Sequence, residues 1–506
     1  ASVVLNSMLN GDSFYESESE RLKRIETLIS ENVSENGEFI AKAMVYTRTE
    51  GRLRSVSHYL AGLLAETVKG ESFLKPAFVQ SIVRVDDITE MLSVWNNRNK
   101  GKMVPNSLRR AFKFALENKF DEYQFKKYAQ PKSKIKLKDA VKLAHPSPKN
   151  FKDKTIFKRV IEDKLDAIET AQTINASKSG KERVDAYVDQ IKSGKMGYMA
   201  AVKNIRTMLE NGISESDLKL WANMITDPNR IRKSMMLPFR FVDAWNSLKK
   251  LRGSKYDTTN YGNDDLKTQL EKVIGVHENK VDGSMDKKLI IVKKALEKAF
   301  GVSAGNTNIA EEGEKVAILL DESGSMGGFM GYSDDFEENK NDPFYIGKVL
   351  AASLKMGMDK KDCLFYTWAN DCTKREIRND SPFDFISSMT TKGGGTDVAA
   401  PLKKLIEDKT YVDKIIILTD MQMYGGWGNL EDQVKTYINK YRKTVNPNAK
   451  ILFWNLQGYS NSPLDMEKSS DIFEISGYSD RLLELVPKLW NDKDYLIKAI
   501  EAVVLN

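Results

Sequence analysis

The apolar run of residues 316–320 is the feature that most constrains the fold of this chain. It is short, rich in branched side chains and free of polar residues, which is typical of a strand buried on both faces of a parallel sheet. Asp321, Ser323 and Ser325 follow it at alternate positions, and Gly324 allows a tight turn between them. In an open α/β sheet, ligands bind where the strands end at their carboxyl side. The stretch therefore predicts an α/β domain with a ligand site at the end of this strand.

Two later stretches supply further oxygen ligands. Residues 393–395 are three glycines that allow the backbone to bring the Thr396 hydroxyl close to an ion. Residues 415–419 form a second buried strand, which is followed directly by Asp420. Carboxylate and hydroxyl oxygens are hard ligands of the kind that Mg²⁺ and Mn²⁺ prefer. The sequence therefore predicts a divalent-cation site at the carboxyl edge of the sheet.

This order of residues resembles the metal-ion-dependent adhesion site (MIDAS) of von Willebrand factor A domains. The resemblance implies a magnesium site, or a site for another divalent cation such as Mn²⁺, whose ligands bind directly or through water. The alternative is a domain of this fold whose site stays empty. The implied metal ligands are Asp321, Ser323, Ser325, Thr396 and Asp420.

The remainder of the chain divides into a polar start, a long helical part and an α/β part. Its 506 residues suggest two to four domains. Residues 21–298 carry apolar residues at i, i+3 and i+4 spacing between short Gly and Pro breaks, which predicts a HEAT-like α-helical solenoid. Residues 257–283 predict a polar connection with a short helix at 265–274. The polar start is a predicted arm at 1–20. A Gly-rich run at 301–313 is the predicted boundary between a helical domain at 21–306 and an α/β domain at 307–506.

Strands and helices alternate from residue 315 onward, which predicts a doubly wound α/β sheet. An acidic insertion at residues 327–341 has three open roles: it occludes the metal site, adds a ligand or repels nucleic acid, the last being physically simplest. Residues 492–505 predict an amphipathic helix that packs back onto the helical part. The predicted strands are 315–320, 363–368, 376–378, 413–419, 450–455 and 472–475, and the other predicted helices are 344–357, 383–389, 397–407, 430–444 and 480–489.

The net charge of +7 is distributed unevenly along the chain. Residues 307–506 contain 24 Lys and Arg against 32 Asp and Glu, a net charge of −8. The preceding residues contain 54 against 39, a net charge of +15. A basic part joined to an acidic part indicates that the basic part meets a polyanion. The alternative is a solvated, lysine-rich surface without a partner.

Composition places the chain among soluble globular proteins, with 41% hydrophobic and 29% charged residues. No run is long and apolar enough to span a bilayer, and residues 1–11 lack the basic start and apolar core of a signal peptide. The two cysteines, Cys363 and Cys372, indicate neither a disulfide framework nor a zinc site. We therefore expect a cytoplasmic protein without a membrane partner.

Several stretches of the helical part resemble the TROVE module of the Ro autoantigen, telomerase-associated protein and vault proteins. The matching stretches are residues 39–48, 54–58, 119–128, 137–146 and 196–206. The order of a TROVE-like part and then a metal-site domain is that of Ro proteins and of their bacterial and phage-encoded relatives.

That resemblance implies a ring-shaped ribonucleoprotein scaffold. In Ro proteins the helical repeats curve into a ring, which the C-terminal α/β domain closes. The outer face binds small structured RNAs called Y RNAs, and the basic central hole takes single-stranded 3′ ends of misfolded noncoding RNA. Bacterial relatives work with an exoribonuclease. We therefore expect a monomeric ring that acts in RNA quality control or processing. Its expected partners are noncoding RNA and a protein, which is either an exoribonuclease or another protein that supplies an acidic residue to the metal.

Basic residues of the helical part are suited to that role, because lysines neutralise phosphates and aromatic faces stack on unpaired bases. By the resemblance, Lys127 and His145 fall at the outer RNA contacts of Ro proteins. The family has an Arg just after the Lys-Tyr pair, whereas residues 130–132 are Gln-Pro-Lys here, which leaves specific Y-RNA recognition open. The candidate RNA-binding residues are Lys127, Lys132, Lys134 and His145 on the outer face and Arg48, Arg54, Arg232 and Arg240 inside the ring.

Each of these residues also has a structural interpretation. A lysine can belong to a solvated helix face, an arginine can lock two helices by pairing with an acid, and His145 can end a helix before Pro146. Tyr46 and Tyr128 lie in apolar-periodic helices and are predicted to be core residues. Tyr123 lies among the same lysines and is a candidate stacking residue.

Three functions compete on these observations. The first is an RNA-binding scaffold of the Ro type. The second is a metal-dependent protein-interaction or structural component of a larger assembly, such as a phage particle. The third is an enzyme, which we do not predict, because no nucleophile–base pair is evident and the loop at Gly393–Thr396 lacks the Lys of a phosphate-binding loop. Asp321 and Asp420 are also too few for the carboxylate cluster of a metal nuclease.

Overall fold

The structure, a computed structural model, describes most of the chain in two compact units. One unit comprises Ala1–Glu169 together with Asn491–Asn506, and the other comprises Thr170–Trp490. The predicted arm lies outside the described residues up to residue 17, and so do the polar connection at 252–282 and the acidic insertion at 328–341. The described residues are 18–128, 134–166, 168, 170–236, 238–248, 251, 283–305, 309–327, 342–359, 361–376, 381–391, 393–422, 430–457, 471–477 and 480–506.

Helices account for the regular structure of the described residues before the sheet. In Asn106–Asn118, for example, Leu108, Ala111, Phe112 and Ala115 recur at i, i+3 and i+4 and are all buried, so one helix face packs on the core. The helices are α1 (Glu18–Thr49), α2 (Arg54–Thr67), α3 (Leu74–Ser81), α4 (Val85–Arg98), α5 (Asn106–Asn118), α6 (Glu122–Tyr128), α7 (Leu137–Ala144), α8 (Ile156–Ile161), α9 (Ala171–Ser177), α10 (Gly180–Lys192), α11 (Tyr198–Lys203), α12 (Ile205–Glu210), α13 (Glu215–Ile225), α14 (Pro228–Ser234), α15 (Pro238–Ser247) and α16 (Gly283–Ala304).

A six-stranded sheet follows, and its strands alternate with helices. The strands are β1 (Val316–Asp321), β2 (Cys363–Trp368), β3 (Cys372–Arg375), β4 (Lys414–Thr419), β5 (Lys450–Asn455) and β6 (Ile472–Ser476). The helices are α17 (Pro343–Met356), α18 (Pro382–Ser387), α19 (Ala399–Glu407), α20 (Leu430–Thr444), α21 (Asp480–Asn491) and α22 (Tyr495–Glu501).

The strand order is β3-β2-β1-β4-β5-β6, and every neighbouring pair is parallel except β2 and β3. Helices α19 and α20 pack on the sheet face that contains Leu319 and Ile417. Helix α17 packs on the opposite face, where a side chain at Gly347 would clash with Leu320. Helices therefore cover both faces of a mixed sheet, as the alternation of strands and helices predicted.

The third strand was predicted at the wrong place. The prediction put it at 376–378, whereas β3 is formed by Cys372–Arg375 and ends before that range. A tight turn explains the difference, because the backbone N–H of Ala369 donates to the carbonyl of Asp371 at 2.9 Å. The chain thus reverses directly after β2 and pairs antiparallel with it from Cys372 onward. Residues 377–380 lie outside the described part of the chain.

The last helix belongs to the first compact unit. Leu496 and Ile500 of α22 pack against Ala43 of α1, with Phe39 and Tyr46 beside them. The ammonium group of Lys42 also donates to the carbonyl of Glu501 at 3.2 Å. This confirms the prediction that the final segment packs back onto the helical part, although the helix is shorter than the predicted 492–505.

The predicted boundary between residues 306 and 307 stays a prediction; the division into compact units is a different one, which falls after Glu169 and after Trp490. The second unit contains both α9–α16 and the sheet. Within it, Trp245 of α15 stacks on Phe383 of α18 at 6.0 Å between ring centroids, and Lys293 of α16 pairs with Asp384 at 2.7 Å. In the described part of the chain, no helix combines the length and the apolar character needed to cross a membrane.

Candidate functional site

The carboxyl edge of the sheet brings two aspartates together. Strands β1 and β4 are parallel neighbours in the middle of the sheet, with Leu320 in register with Leu418. Asp321 is the last residue of β1, and Asp420 follows the last residue of β4. Because parallel strands end at the same edge, both carboxylates lie at the point where the strand order reverses, which is where ligands bind in such sheets.

Asp321 is fully buried and held from both sides. Its Oδ1 accepts a hydrogen bond from the backbone N–H of Ser323 at 2.8 Å, and its Oδ2 accepts one from the Thr419 hydroxyl at 2.6 Å. Burial, and next the negative charge of Asp420, raise the pKa of Asp321 to about 7. The carboxylate is therefore fixed in orientation and is placed where a positive charge would stabilise it.

Asp420 is also buried, and burial raises its pKa. Its Oδ1 accepts a hydrogen bond from the backbone N–H of Gln422 at 3.1 Å. Its Oδ2 is inaccessible to solvent and has no hydrogen-bond partner among the described residues. A buried carboxylate oxygen without a hydrogen-bond partner is rare in proteins, and such an oxygen is a suitable ligand for a divalent cation.

The predicted hydroxyl ligands lie at the same edge. The hydroxyls of Ser323 and Ser325 are 3.3 Å apart, and that of Ser325 also reaches the Asp420 carboxylate. Thr396 is buried in the turn that precedes α19. Two carboxylates and three hydroxyls make an all-oxygen donor set, which fits Mg²⁺ or Mn²⁺.

The glycine loop is tied directly to the end of β1. The backbone N–H of Gly393 donates to the Glu322 carbonyl at 3.2 Å, and that of Gly324 donates to the Gly394 carbonyl at 3.1 Å. Gly394 adopts φ +96°, and a Cβ at Gly395 would lie 2.7 Å from Oδ1 of Asn370. A side chain at Gly395 would therefore push the Thr396 loop away from Asn370, which follows β2.

Two residues of this edge were not singled out by the sequence. Thr419 orients Asp321, and the sequence signal for it was its place at the end of the second apolar run, directly before Asp420. Glu322 is a third buried acid, but its carboxylate lies 3.5 Å from the guanidinium of Arg375, whose Nε donates to the Thr367 hydroxyl. Side chains alternate along a strand, so Glu322 points away from the face of Asp321.

No group of three or more His, Cys, Asp or Glu side chains suited to a metal ion occurs within the described ranges. Asp321 and Asp420 are too few to form such a group, and hydroxyls make up most of the donor set that the sequence predicts at the sheet edge. Cys363 is buried, and both it and Cys372 are free thiols, in line with the absence of a predicted disulfide framework.

The outer-face candidates lie around α6 and α7. Lys127 and Lys134 are exposed, and Lys132 lies outside the described residues. His145 ends α7 in the left-handed conformation, with φ 49°, and its backbone N–H donates to Val141. Its imidazole is exposed, so the backbone ends the helix while the side chain remains accessible.

Arg48 and Arg54 are held in an ionic network between α1, α2 and α4. Arg48 is only 8% exposed and pairs with Asp87 at 2.8 Å, and Arg54 pairs with Asp87 at 2.6 Å and with Glu90 at 2.8 Å. Burial alone would raise the pKa of Asp87, but His58, Arg48 and Arg54 lower it well below its ordinary value. This is the helix-locking role that the sequence left open, and RNA contact by these two arginines stays a prediction.

Arg232 and Arg240 of the second unit are exposed. The guanidinium of Arg240 lies 3.7 Å from the carboxylate of Asp243, at i+3 on α15. Such a surface pair is weak and does not prevent contact with another anion. RNA contact by Arg232 and Arg240 likewise stays a prediction.

Comparison with known proteins places this fold in a family. The model of the TROVE domain matches residues 5–190 and 188–299. The crystal structure of the Deinococcus radiodurans RO (RSR) protein matches with a TM-score of 0.60 at 14% sequence identity, covering 91% of this chain and 93% of that one. At this identity the likeness concerns the fold, which has a helical part followed by an α/β domain.

A second solved structure gives no support for any conclusion. The aerotolerance-related membrane protein from Bacteroides fragilis NCTC 9343, with multiple mutations to serines, covers 37% of this chain and 97% of its own at 16% identity, but its TM-score is 0.21. Among curated proteins there is no significant match.

Proposed function

This chain belongs to the TROVE-domain family, and on that premise we propose that it is an RNA-binding scaffold of the Ro type rather than an enzyme. It binds small structured noncoding RNA on the outer face of its helical part. It takes single-stranded 3′ ends inside a ring that the α/β domain closes, in RNA quality control or processing. The match of the TROVE model to nearly the whole helical part is the observation that supports this function.

Charge distribution supports the same proposal. The residues before 307 carry a net charge of +15, and RNA binding that depends on phosphate neutralisation needs such an excess. Lys127, Lys134 and His145 are exposed within a stretch of some twenty residues, so they are available to an outer ligand. The α/β part is net negative and is suited to protein partners rather than to RNA.

The sheet edge holds Mg²⁺ or Mn²⁺ in a site of the von Willebrand factor A type. Asp321, Ser323, Ser325, Thr396 and Asp420 supply its ligands, which neutralises two buried carboxylates and satisfies Oδ2 of Asp420. The bound cation accepts an acidic side chain from a protein partner such as an exoribonuclease. Catalysis has no support at this edge, because the third buried acid, Glu322, faces Arg375 instead.

A salt titration of RNA binding tests the scaffold. The probe is a short RNA hairpin with a single-stranded 3′ tail, and the comparison is between the wild type and a Lys127→Glu, Lys134→Glu double variant. We expect sub-micromolar affinity at low salt, a steep negative dependence on salt, and weaker binding by the double variant, because each lost phosphate contact lowers the salt slope by about one.

Absence of RNA binding at low salt would contradict the scaffold proposal. The function favoured then is the metal-dependent protein-interaction or structural component, because the unpartnered oxygen of Asp420 supports a cation site independently of RNA. That function requires a protein partner whose binding is lost on chelation of divalent cations.

A further inference from the structure

Tyr123 is an exposed aromatic residue on the surface of α6. It is 55% exposed, whereas the other described aromatic side chains of this unit, apart from Phe114, are buried or partly buried. The ammonium group of Lys127, one helical turn later, lies over its ring at 5.7 Å from the centroid. Residues at i and i+4 face the same side of a helix, so the pair forms one continuous surface. That surface joins an accessible aromatic ring to a positive charge.

Lys127 differs from its neighbour Lys126 in what surrounds its charge. Lys126 pairs with Glu122 at 2.9 Å and with Asp166 at 3.2 Å, so its charge is largely compensated within the protein. Lys127 has no carboxylate at ion-pair distance among the described residues, and it contacts aromatic rings instead. An exposed ammonium group without a paired acid retains its capacity to bind a phosphate.

Tyr128 anchors this arrangement from the other side. It is half-buried and packs against the core of the first unit, and its ring lies 5.4 Å from the Lys127 ammonium. The guanidinium of Arg84 lies 4.4 Å from the same ring and is held there by Asp86, through hydrogen bonds of 3.0 and 2.8 Å. Tyr128 is therefore already stacked by the protein, which leaves Tyr123 as the accessible ring.

We propose that Tyr123 and Lys127 form a binding site for one unpaired nucleotide, an inference that rests on the proposed RNA-binding function. The nucleobase stacks on the exposed face of Tyr123, and the adjoining phosphate pairs with Lys127. Stacking on an aromatic side chain requires a base whose own face is free, which holds in loops, bulges and single-stranded ends but not inside a duplex. The site therefore gives the outer face a preference for unpaired segments that lysines alone cannot give.

The test compares two RNA hairpins with the same stem. One has a loop of unpaired nucleotides, and the other has abasic sugars at every loop position, so that the phosphates are equal in number. Affinities of the full chain for both are measured by fluorescence anisotropy over a range of salt concentrations. The variants are Tyr123→Leu, Tyr123→Phe and Lys127→Ala, and Lys126→Ala is the matched control, because its ammonium group is already paired with acids.

We expect Tyr123→Leu to weaken binding of the normal hairpin about tenfold and to leave binding of the abasic hairpin within about twofold, because stacking is lost and the phosphates are not. Tyr123→Phe keeps the ring and the affinity. Lys127→Ala weakens both RNAs and lowers the salt slope by about one, whereas Lys126→Ala changes neither.

Two outcomes would overturn the nucleotide site and leave the scaffold proposal standing. One is that the wild type binds both hairpins equally, and the other is that Tyr123→Leu still distinguishes the hairpins as the wild type does. A wild type that binds neither hairpin at low salt would overturn both. Circular dichroism shows whether each variant is folded, and we expect it to be, because both side chains are exposed.

Discussion

At the scale of single residues, the sheet edge depends on a few hydrogen bonds to buried acids. Asp321 has one oxygen on the Ser323 backbone and the other on the Thr419 hydroxyl, so its orientation is determined before any ligand arrives. Asp420 is only partly satisfied, because its Oδ2 has no hydrogen-bond partner among the described residues. Mutation of a group that orients a metal ligand typically lowers metal affinity by about 10- to 100-fold.

Replacement of Thr419 by valine tests that orienting role. Thr419→Val keeps the volume and removes the hydroxyl that donates to Asp321 at 2.6 Å. We expect Mg²⁺ affinity to fall about tenfold, since outer-shell partners typically contribute that much. Calorimetric titration with Mg²⁺ measures the effect, and Thr47→Val, at another buried threonine, is the control. Unchanged Mg²⁺ affinity in Thr419→Val would contradict the proposed role.

Replacement of Asp420 by asparagine tests both the charge repulsion at the sheet edge and the proposed metal binding. Asp420→Asn removes a negative charge that acts on buried Asp321. In EDTA we expect this variant to melt a few degrees above the wild type, because two unscreened buried carboxylates repel each other. The rise in melting temperature that Mg²⁺ gives the wild type should be absent.

An exposed acid of the same domain provides the matched control for that experiment. Asp408→Asn removes a surface charge that pairs with Lys404, and it should retain the response to Mg²⁺. A variant Asp420→Asn that is still stabilised by Mg²⁺ would exclude Asp420 as a ligand.

At the scale of elements, α1, α2 and α4 are joined by a buried ionic network rather than by apolar contacts alone. Asp87 of α4 receives Arg48 from α1 and Arg54 from α2. Its carboxylate also accepts the backbone N–H groups of Val83 and Arg84, so one side chain both starts α4 and holds two other helices. Breaking such a network leaves buried charges unpaired, which is costly.

Asp87→Asn is therefore expected to destabilise the first unit by about 3 kcal/mol at pH 7. Because the folded pKa of Asp87 lies below its unfolded value, its contribution is complete above pH of about 4 and is lost as the pH falls further. In denaturant unfolding, the difference between variant and wild type should stay constant from pH 7 to about pH 4 and shrink below that pH. Glu90→Gln, at a half-exposed partner of Arg54, is the control and should cost less than about 1 kcal/mol. A difference that does not depend on pH would contradict this account.

At the scale of the whole molecule, the last residues of the chain complete the fold of the first compact unit. Residues 491–506 belong to the compact unit of residues 1–169, although the entire second unit lies between them in sequence. Ile500 is fully buried against α1, and Ile497 on the same helix is 45% exposed. The first unit is therefore complete only when the end of the chain is in place.

A pair of alanine variants tests this dependence. Ile500→Ala should destabilise the first unit by about 3 kcal/mol through the cavity it leaves, and Ile497→Ala should change stability by less than about 0.5 kcal/mol. Limited proteolysis, followed by identification of the first cleavage sites, measures the effect within residues 1–169. Equal susceptibility of the two variants would show that α22 is dispensable for this unit.

The sequence by itself determined the local structure and the chemistry at strand ends. Strands and helices of the α/β part were predicted within a few residues, because hydrophobic periodicity is a short-range property, and β3 was misplaced because a tight turn leaves little trace in that pattern. Asp321 and Asp420 were identified because each directly follows an apolar run. The TROVE family, too, was evident from the sequence and is confirmed by the family model.

Only the tertiary structure decided which charges are compensated and which side chains meet. Arg48 pairs with Asp87 and Lys126 with Asp166, and the Thr419 hydroxyl donates to Asp321; these partners lie 39, 40 and 98 residues apart in sequence. Lys126 and Lys127 are equivalent in composition, yet only the folded chain distinguishes a paired lysine from one available to a phosphate. The physical reason is that ion pairing and hydrogen bonding between distant residues depend on packing, whereas periodicity and strand-end chemistry are local to the sequence.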